Sequence, residues 1–309
     1  MAAEPRRAGA SFRRAVWHPQ QRLWNPALVS AVEARFARVP ALAAILVRLV
    51  VLLDSLMLLA RVLRRRMRLL GLRSLGPMPR RRTAVLYVDC GVHEDGHELR
   101  LIRRWLARRR DVHIIAFEAG REQFAAAAEA LADVPSLDLR HRCLVGPEHT
   151  SPTVTLYGSR SDGGYADSIF ARDGADHEDV PAGRLSEVLL SEHGSHQGPV
   201  ILRMNIEGAE LAVVEDLVAA GLHQRIDGYY GMWDDLSKID AHLDARLRRL
   251  LQACAISPLT FNGRDLGYGL RRLAIRTDVE TSIRHGELLG PRPVADARAL
   301  HDGQAPARR

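Results

Sequence analysis

Three short runs set chemistry-bearing residues at or just past the ends of apolar, β-prone stretches. Asp89 and Cys90 end TAVLYVDC (83–90), with Gly91 next; Glu118 and Ala119 end VHIIAFEA (112–119); Asn205 and Glu207 flank the end of VILRMNI (200–206). A glycine just past a strand lets the backbone approach a ligand with no Cβ in the way, and Gly91 holds that place. A carboxylate at the end of the next strand can accept hydrogen bonds from both hydroxyls of a ribose, which is the role open to Glu118. Together they point to an adenosine-containing cofactor. Taken alone, Glu118 also suits a plainer role, capping the helix that follows it.

The first turn narrows the cofactor. Nicotinamide enzymes use G-x-G-x-x-G, three glycines that seat a pyrophosphate against a helix N-terminus. Here the turn is Asp89-Cys90-Gly91-Val92-His93-Glu94-Asp95-Gly96, with acidic groups where phosphates would go. A cationic sulfonium tolerates those acids better than a pyrophosphate does. The expectation is S-adenosyl-L-methionine.

Two further constellations invite a chemical reading. His93-Glu94-Asp95-Gly96-His97 fits H-E-x-x-H, whose zinc chemistry needs both histidines on one face of a stable helix. A start three residues past a strand, with Gly96 and Asp95 inside, argues against that helix, so no metal is expected. His93 instead suits a cofactor loop, with a catalytic role as the rarer alternative. Trp233-Asp234-Asp235 follows another strand, which makes Asp234 or Asp235 a candidate general base on an acceptor hydroxyl. A helix N-cap or a solvated turn is the plainer reading of those two aspartates.

These residues need elements to hold them. HELRLIRRWLARR (97–109) and REQFAAAAEALAD (121–133) read as helices between the strands, followed by strands at LDLRHRCLV (137–145) and TVTLYG (153–158). Residues 158–183 show no period, which suits a mobile lid that governs acceptor choice. After them come a helix at 184–193, the strand 200–206, a helix from Ala209 to Ala219 ended by Gly221, and a strand at 226–232. A helix at 239–253 and strands near 256–261 and 270–276 complete the pattern. Such alternation implies a largely parallel sheet covered on both faces, with ligands at the carboxyl ends of its strands.

VLYVDCGVHEDG, IIAFEA and VILRMNIEGAELAVVEDL resemble successive motifs of the FkbM-type S-adenosylmethionine-dependent methyltransferases. In that family the counterparts read approximately D-x-G-A-N-x-G, F-E-P and K-I-D-V-E-G-A-E. The resemblance covers about residues 83–276, and its most specific piece is Ile206-Glu207-Gly208-Ala209-Glu210; the loop with Gly163, Gly164 and Ser168 is similar to the family's variable stretch. It implies a Rossmann-like, seven-stranded class I methyltransferase fold and O-methylation of a hydroxyl on a sugar, polyketide or related small molecule. The implied cofactor contacts are Asp89, Cys90, Gly91, Gly96, Glu118, Ala119, Asn205 and Glu207. Three positions depart from the family: Val92-His93 replaces Ala-Asn in a first loop one residue longer, Asn205 replaces an acid, and Ala119 replaces proline. They favour, as the alternative, a catalytically silent cofactor-binding or membrane-associated module that keeps the fold.

Charge divides the chain differently. The 309 residues carry a net +7, but residues 1–82 hold 17 arginines against Glu4, Glu33 and Asp54. That piece is +14 and the remainder −7. Lys238 is the only lysine, so part of the arginine count is compositional bias. Within the basic piece, Pro26–Val39 reads as a short helix and residues 41–63 as a long one with 14 Leu, Ile or Val, followed by Arg64, Arg65, Arg66 and Arg68. Those aliphatics favour a bilayer by about 0.3–0.6 kcal/mol each at its centre, while Asp54 and Arg48 cost roughly 2.5–3.5 kcal/mol each. The sum is near zero. A helix packed on protein, or one lying on an anionic membrane surface through residues 26–70, fits better than a span. Aromatics interleaved with the arginines are too few to favour nucleic acid.

The organisation expected is a basic helical extension (1–82), a methyltransferase-like domain (83–276) and a tail (277–309). Apolar residues at 47% and charged ones at 26% suit a folded chain. Cys90, Cys143 and Cys254 are too few and too far apart for a disulfide framework or a zinc ribbon. The odd count suits a reducing cytosol, with peripheral attachment at the inner face of the membrane.

Overall fold

The computed structural model describes residues 26–74, 84–93, 96–107, 111–158, 168–171, 176–233, 236–260 and 268–289. In chain order the elements are α1 (Pro26–Arg35), α2 (Pro40–Ser74), β1 (Val85–Cys90), α3 (His97–Leu106), β2 (Val112–Glu118), α4 (Arg121–Ala130), β3 (Leu137–His141), β4 (Cys143–Leu144), β5 (Thr153–Tyr157), β6 (His177–Gly183) and α5 (Leu185–Ser191). They continue with β7 (Val200–Met204), α6 (Glu210–Ala219), a 3-10 turn at Leu222–Arg225, β8 (Gly228–Gly231), α7 (Leu236–Ile239), α8 (Ala241–Ala253), β9 (Leu259–Thr260) and α9 (Tyr268–Leu289).

Six parallel strands form the central sheet in the order β3-β2-β1-β7-β8-β9. Every residue of β1 and β7 is buried, which is why both read as continuous apolar runs rather than alternating ones. The two-residue alternation of side chains then divides the core. Leu86, Val88, Ile115, Phe117, Leu202 and Met204 face Val213, Val214 and Leu217 of α6. Val85, Tyr87, Ile114 and Ile201 face Leu99, Ile102 and Leu106 of α3 and Ile275, Val279 and Ile283 of α9. Helices cover both faces of a parallel sheet, and the architecture is α/β and Rossmann-like.

The strand count differs from expectation: six, not seven. The strand expected at 270–276 is the start of α9. Its buried residues Ile275, Val279 and Ile283 recur every fourth position, a helical face that a window ending at 276 cannot display. A boundary at 276 therefore falls inside a helix. The stretch 137–145 is two strands, because Arg142 breaks it and β4 leaves for a small second sheet, β4-β6-β5. Residues 158–183, expected to lack structure, include β6, antiparallel to β5. Among the large aliphatics β6 offers only Val180, fully buried, so no alternation could be read there. The helix expected at 239–253 is broken at Asp240, whose carboxylate caps α8 by accepting from the amides of His242 (2.6 Å) and Leu243 (3.2 Å).

The apolar run 41–63 continues as one helix to Ser74. Its C-terminal half packs on α9, where Leu58 and Val62 are buried and Arg61 and Arg65 reach Asp278 at 3.5 and 3.1 Å. Pro40–Met67 is long and apolar enough to cross a membrane by length and composition, with a mean hydropathy of 2.5 over its best window. The linker expected at 76–82 lies outside the described residues.

Candidate functional site

Strand order reverses between β1 and β7, so the loops leaving their carboxyl ends part and open a crevice. The backbone there is drawn tight. Gly91 and Val92 donate to the Phe117 carbonyl (3.0 and 3.3 Å), and the Asn205 amide donates to the Cys90 carbonyl (2.8 Å). Gly91 crosses directly in front of Asn205 with φ +88°, where a Cβ would run into the Asn205 carbonyl oxygen. Only glycine makes that crossing without strain.

Glu118 projects into the crevice from the end of β2. One carboxylate oxygen accepts from the His93 amide (3.0 Å), the other from the amides of Ala119 (3.0 Å) and Gly120 (3.4 Å). Burial raises its pKa above the ordinary carboxylate value, and the three amides hold it down in part. His93 adopts φ +69°, uncommon for a residue with a Cβ, and this turns its N–H toward Glu118.

A buried ionic cluster supports the crevice. Arg203 of β7 donates to Asp89 (2.6 Å), to the Gly91 carbonyl (2.7 Å) and to Glu98 of α3 (3.2 Å). Burial outweighs the Arg203 guanidinium and pushes the Asp89 carboxyl up to about 6. Tyr87 and Tyr230 share a hydroxyl–hydroxyl hydrogen bond on the same face, and burial raises both phenols. Arg203 thus ties the first loop to the sheet through its backbone.

The second sheet closes the opposite wall. Ser168 pairs with Tyr157 by two backbone hydrogen bonds (2.8 and 3.0 Å), and its hydroxyl donates to the Glu207 carbonyl (2.9 Å). Ile169 follows on the wall, and Phe170 packs over Gly208, which has φ +95°. The segment 158–183 is therefore anchored to the crevice through at least one described point.

Gly91, His93, Glu118, Ala119, Asn205 and Glu207, all expected from sequence, line this one crevice. Three others do not. Asp89 points to Arg203, Cys90 is fully buried in the core, and Gly96 packs against Leu131 at the start of α3. Asp234 and Asp235 lie outside the described residues; their neighbours Trp233 and Leu236 are buried beyond the carboxyl end of β8. His93 precedes α3, whose first residue is His97, so the two histidines do not share a helix face. Among the described residues, no group of three or more His, Cys, Asp or Glu could hold a metal ion.

Sequence reasoning missed Gln123, Arg142, Cys143, Leu156 and Ile169, which also line the crevice. The rule that ligands sit at strand ends could have found Arg142 and Cys143, since β3 ends beside β2. Leu156 and Ile169 carried no such signal. The arrangement offers a carboxylate for vicinal hydroxyls, apolar walls for a flat ring, and a glycine crossing where a ligand can meet bare backbone. No family model matches the chain, and neither a curated protein nor a solved structure is significantly similar to it.

Proposed function

We propose that the chain is an S-adenosyl-L-methionine-dependent methyltransferase acting on a hydroxyl of a small-molecule acceptor. The observation that carries the reading is Glu118, oriented by three amides at the end of β2 and facing the bare backbone of Gly91. The fold alone does not decide it, since this strand order serves many nucleotide-derived ligands. In the sequence of the first loop, Glu94 and Asp95 favour a cationic ligand over a pyrophosphate, while Asp89 is taken up by Arg203.

The residues present fit the cofactor. Glu118 would accept from the ribose hydroxyls, with its oxygens already aimed by His93, Ala119 and Gly120. Phe117, Leu144, Leu156 and Ile169 would flank the base and exclude water. Asn205 offers a neutral oxygen to a positive charge. Bound there, the cofactor supplies an electrophilic methyl group on sulfur. The protein's part is to align the acceptor oxygen in line with it, and to remove the proton late through His93, Asp234 or Asp235.

A cofactor-binding module without transfer is the second reading, favoured by Asn205, a neutral residue on the crevice wall where the resembled family carries an acid. Incubating the full chain with labelled S-adenosylmethionine and source-cell lysate separates the two. Methyltransfer requires a labelled small-molecule product; tight binding with no product supports the silent module. Preference for NADH over S-adenosylmethionine sinks both.

A further inference from the structure

α2 has two faces, and only one is covered. Ser55, Leu58 and Val62 are buried on the body, and Arg61 and Arg65 on the same side reach Asp278. Away from that side, Ile45, Leu49, Leu52, Leu56, Leu63 and Met67 are between 47% and 67% exposed. Their spacing of three, four and seven residues aligns them in one stripe, about 33 Å long at 1.5 Å per residue. A folded soluble chain rarely leaves so long an apolar strip in water.

We infer that this stripe docks on the surface of an anionic lipid bilayer, with α2 lying along the interface. Charge selects the occupant. Arg48, Arg64 and Arg66 are exposed on the same helix, Arg35 and Arg38 just before it, and residues 1–82 hold only three acids against 17 arginines. Two copies meeting stripe to stripe would set arginine against arginine, whereas anionic headgroups neutralise them. Residues 290–309 supply only Val294 and Leu300 as larger aliphatics, too little to cover the stripe. Packing excludes the span. From Ser55 onward Leu58, Val62, Arg61 and Arg65 hold α2 on the body, and Ala43 is buried nearer its start, so at most Pro40–Asp54, about 22 Å of helix, is left to enter a hydrocarbon core of ~30 Å. The inference stands independently of the cofactor reading.

The test is flotation of full-length protein with vesicles of phosphatidylcholine, with and without phosphatidylglycerol. Wild type should float with the anionic vesicles at low salt and bind about tenfold more weakly at high salt or without phosphatidylglycerol. Leu49→Glu with Leu56→Glu should abolish flotation while leaving circular dichroism and melting unchanged, because both side chains are exposed. Arg64→Glu with Arg66→Glu should weaken it without altering the apolar stripe, a check that stands if the first variant misfolds. Protein that stays unbound at low salt overturns the proposal. So does equal binding to both vesicle types, or a stable dimer that the leucine variant dissociates without any flotation.

Discussion

Glu118 accepts three amide hydrogens in the protein alone and, in the proposed complex, two ribose hydroxyls besides. Each bond to a charged acceptor is worth roughly 1.5–3 kcal/mol. Glu118→Ala should weaken S-adenosylmethionine binding at least about tenfold by calorimetry. Glu118→Gln should cost less, since it keeps one oxygen for the loop amides. Unchanged affinity in the alanine variant would sink the assignment. Because burial raises the Glu118 pKa, binding should be full above that raised value and decline as pH falls through it. Asp89 behaves differently, through stability. Its folded pKa of about 6 lies above its ordinary 3.8, so protonation favours the folded state. That contribution is full below the ordinary value and is lost as pH rises through about 6, by up to roughly 3 kcal/mol. The urea midpoint should therefore fall between about pH 4 and 6, and Asp89→Asn should flatten the fall; a wild-type midpoint that rises instead contradicts it. Gly91, Glu118 and Asn205 were legible because strand ends can be read from apolar runs. The turn of Asp89 toward Arg203 was not, since its partner lies 114 residues away.

At the scale of elements, the central strands and most helices follow from apolar periodicity, while the misread segments fail for definite reasons. β6 has one buried large aliphatic, and the face of α9 repeats over a span longer than the strand expected at its start. The segment 158–183 shows what this changes for function. Read as a free lid, it would govern acceptor choice without touching the cofactor. Ser168 and Ile169 revise that: one is fixed to Glu207, and the other lines the crevice. Replacing residues 159–167 with a short Gly-Ser linker should abolish methyl transfer and spare cofactor affinity. Ile169→Asp should weaken cofactor binding itself, by roughly tenfold, since an unpaired carboxylate would sit on an apolar wall. Calorimetry on both variants decides the matter. Equal losses of affinity would make the whole segment structural, and no loss in Ile169→Asp would return it to the role of a lid.

On the scale of the whole molecule, α2 of the basic extension is part of the fold rather than an appendage. α9 lies between the sheet and α2, so the body has an outer helical layer drawn from the N-terminal piece. Composition separated the two pieces at residue 82, because charge changes sign there; packing joins them, because Leu58 and Val62 share a core with Ile275, Val279 and Ile283. Full burial of a leucine or valine contributes about 1.5–3 kcal/mol. Cutting the chain before Ala84 removes both and uncovers the outer face of α9, a loss on the order of 3 kcal/mol. At 2–4 °C per kcal/mol for a chain of this class, the 84–309 fragment should melt roughly 6–12 °C below full length and aggregate on heating. Asp278→Ala tests the same contact more gently, because it removes the partner of Arg61 and Arg65 while leaving the aliphatic layer in place. Equal melting of the 84–309 fragment and the full chain would mean that α2 contributes nothing to the body. The outer stripe then provides the contrast. Leu49→Glu with Leu56→Glu acts on the side of α2 turned away from α9, so it should leave melting unchanged where the truncation lowers it.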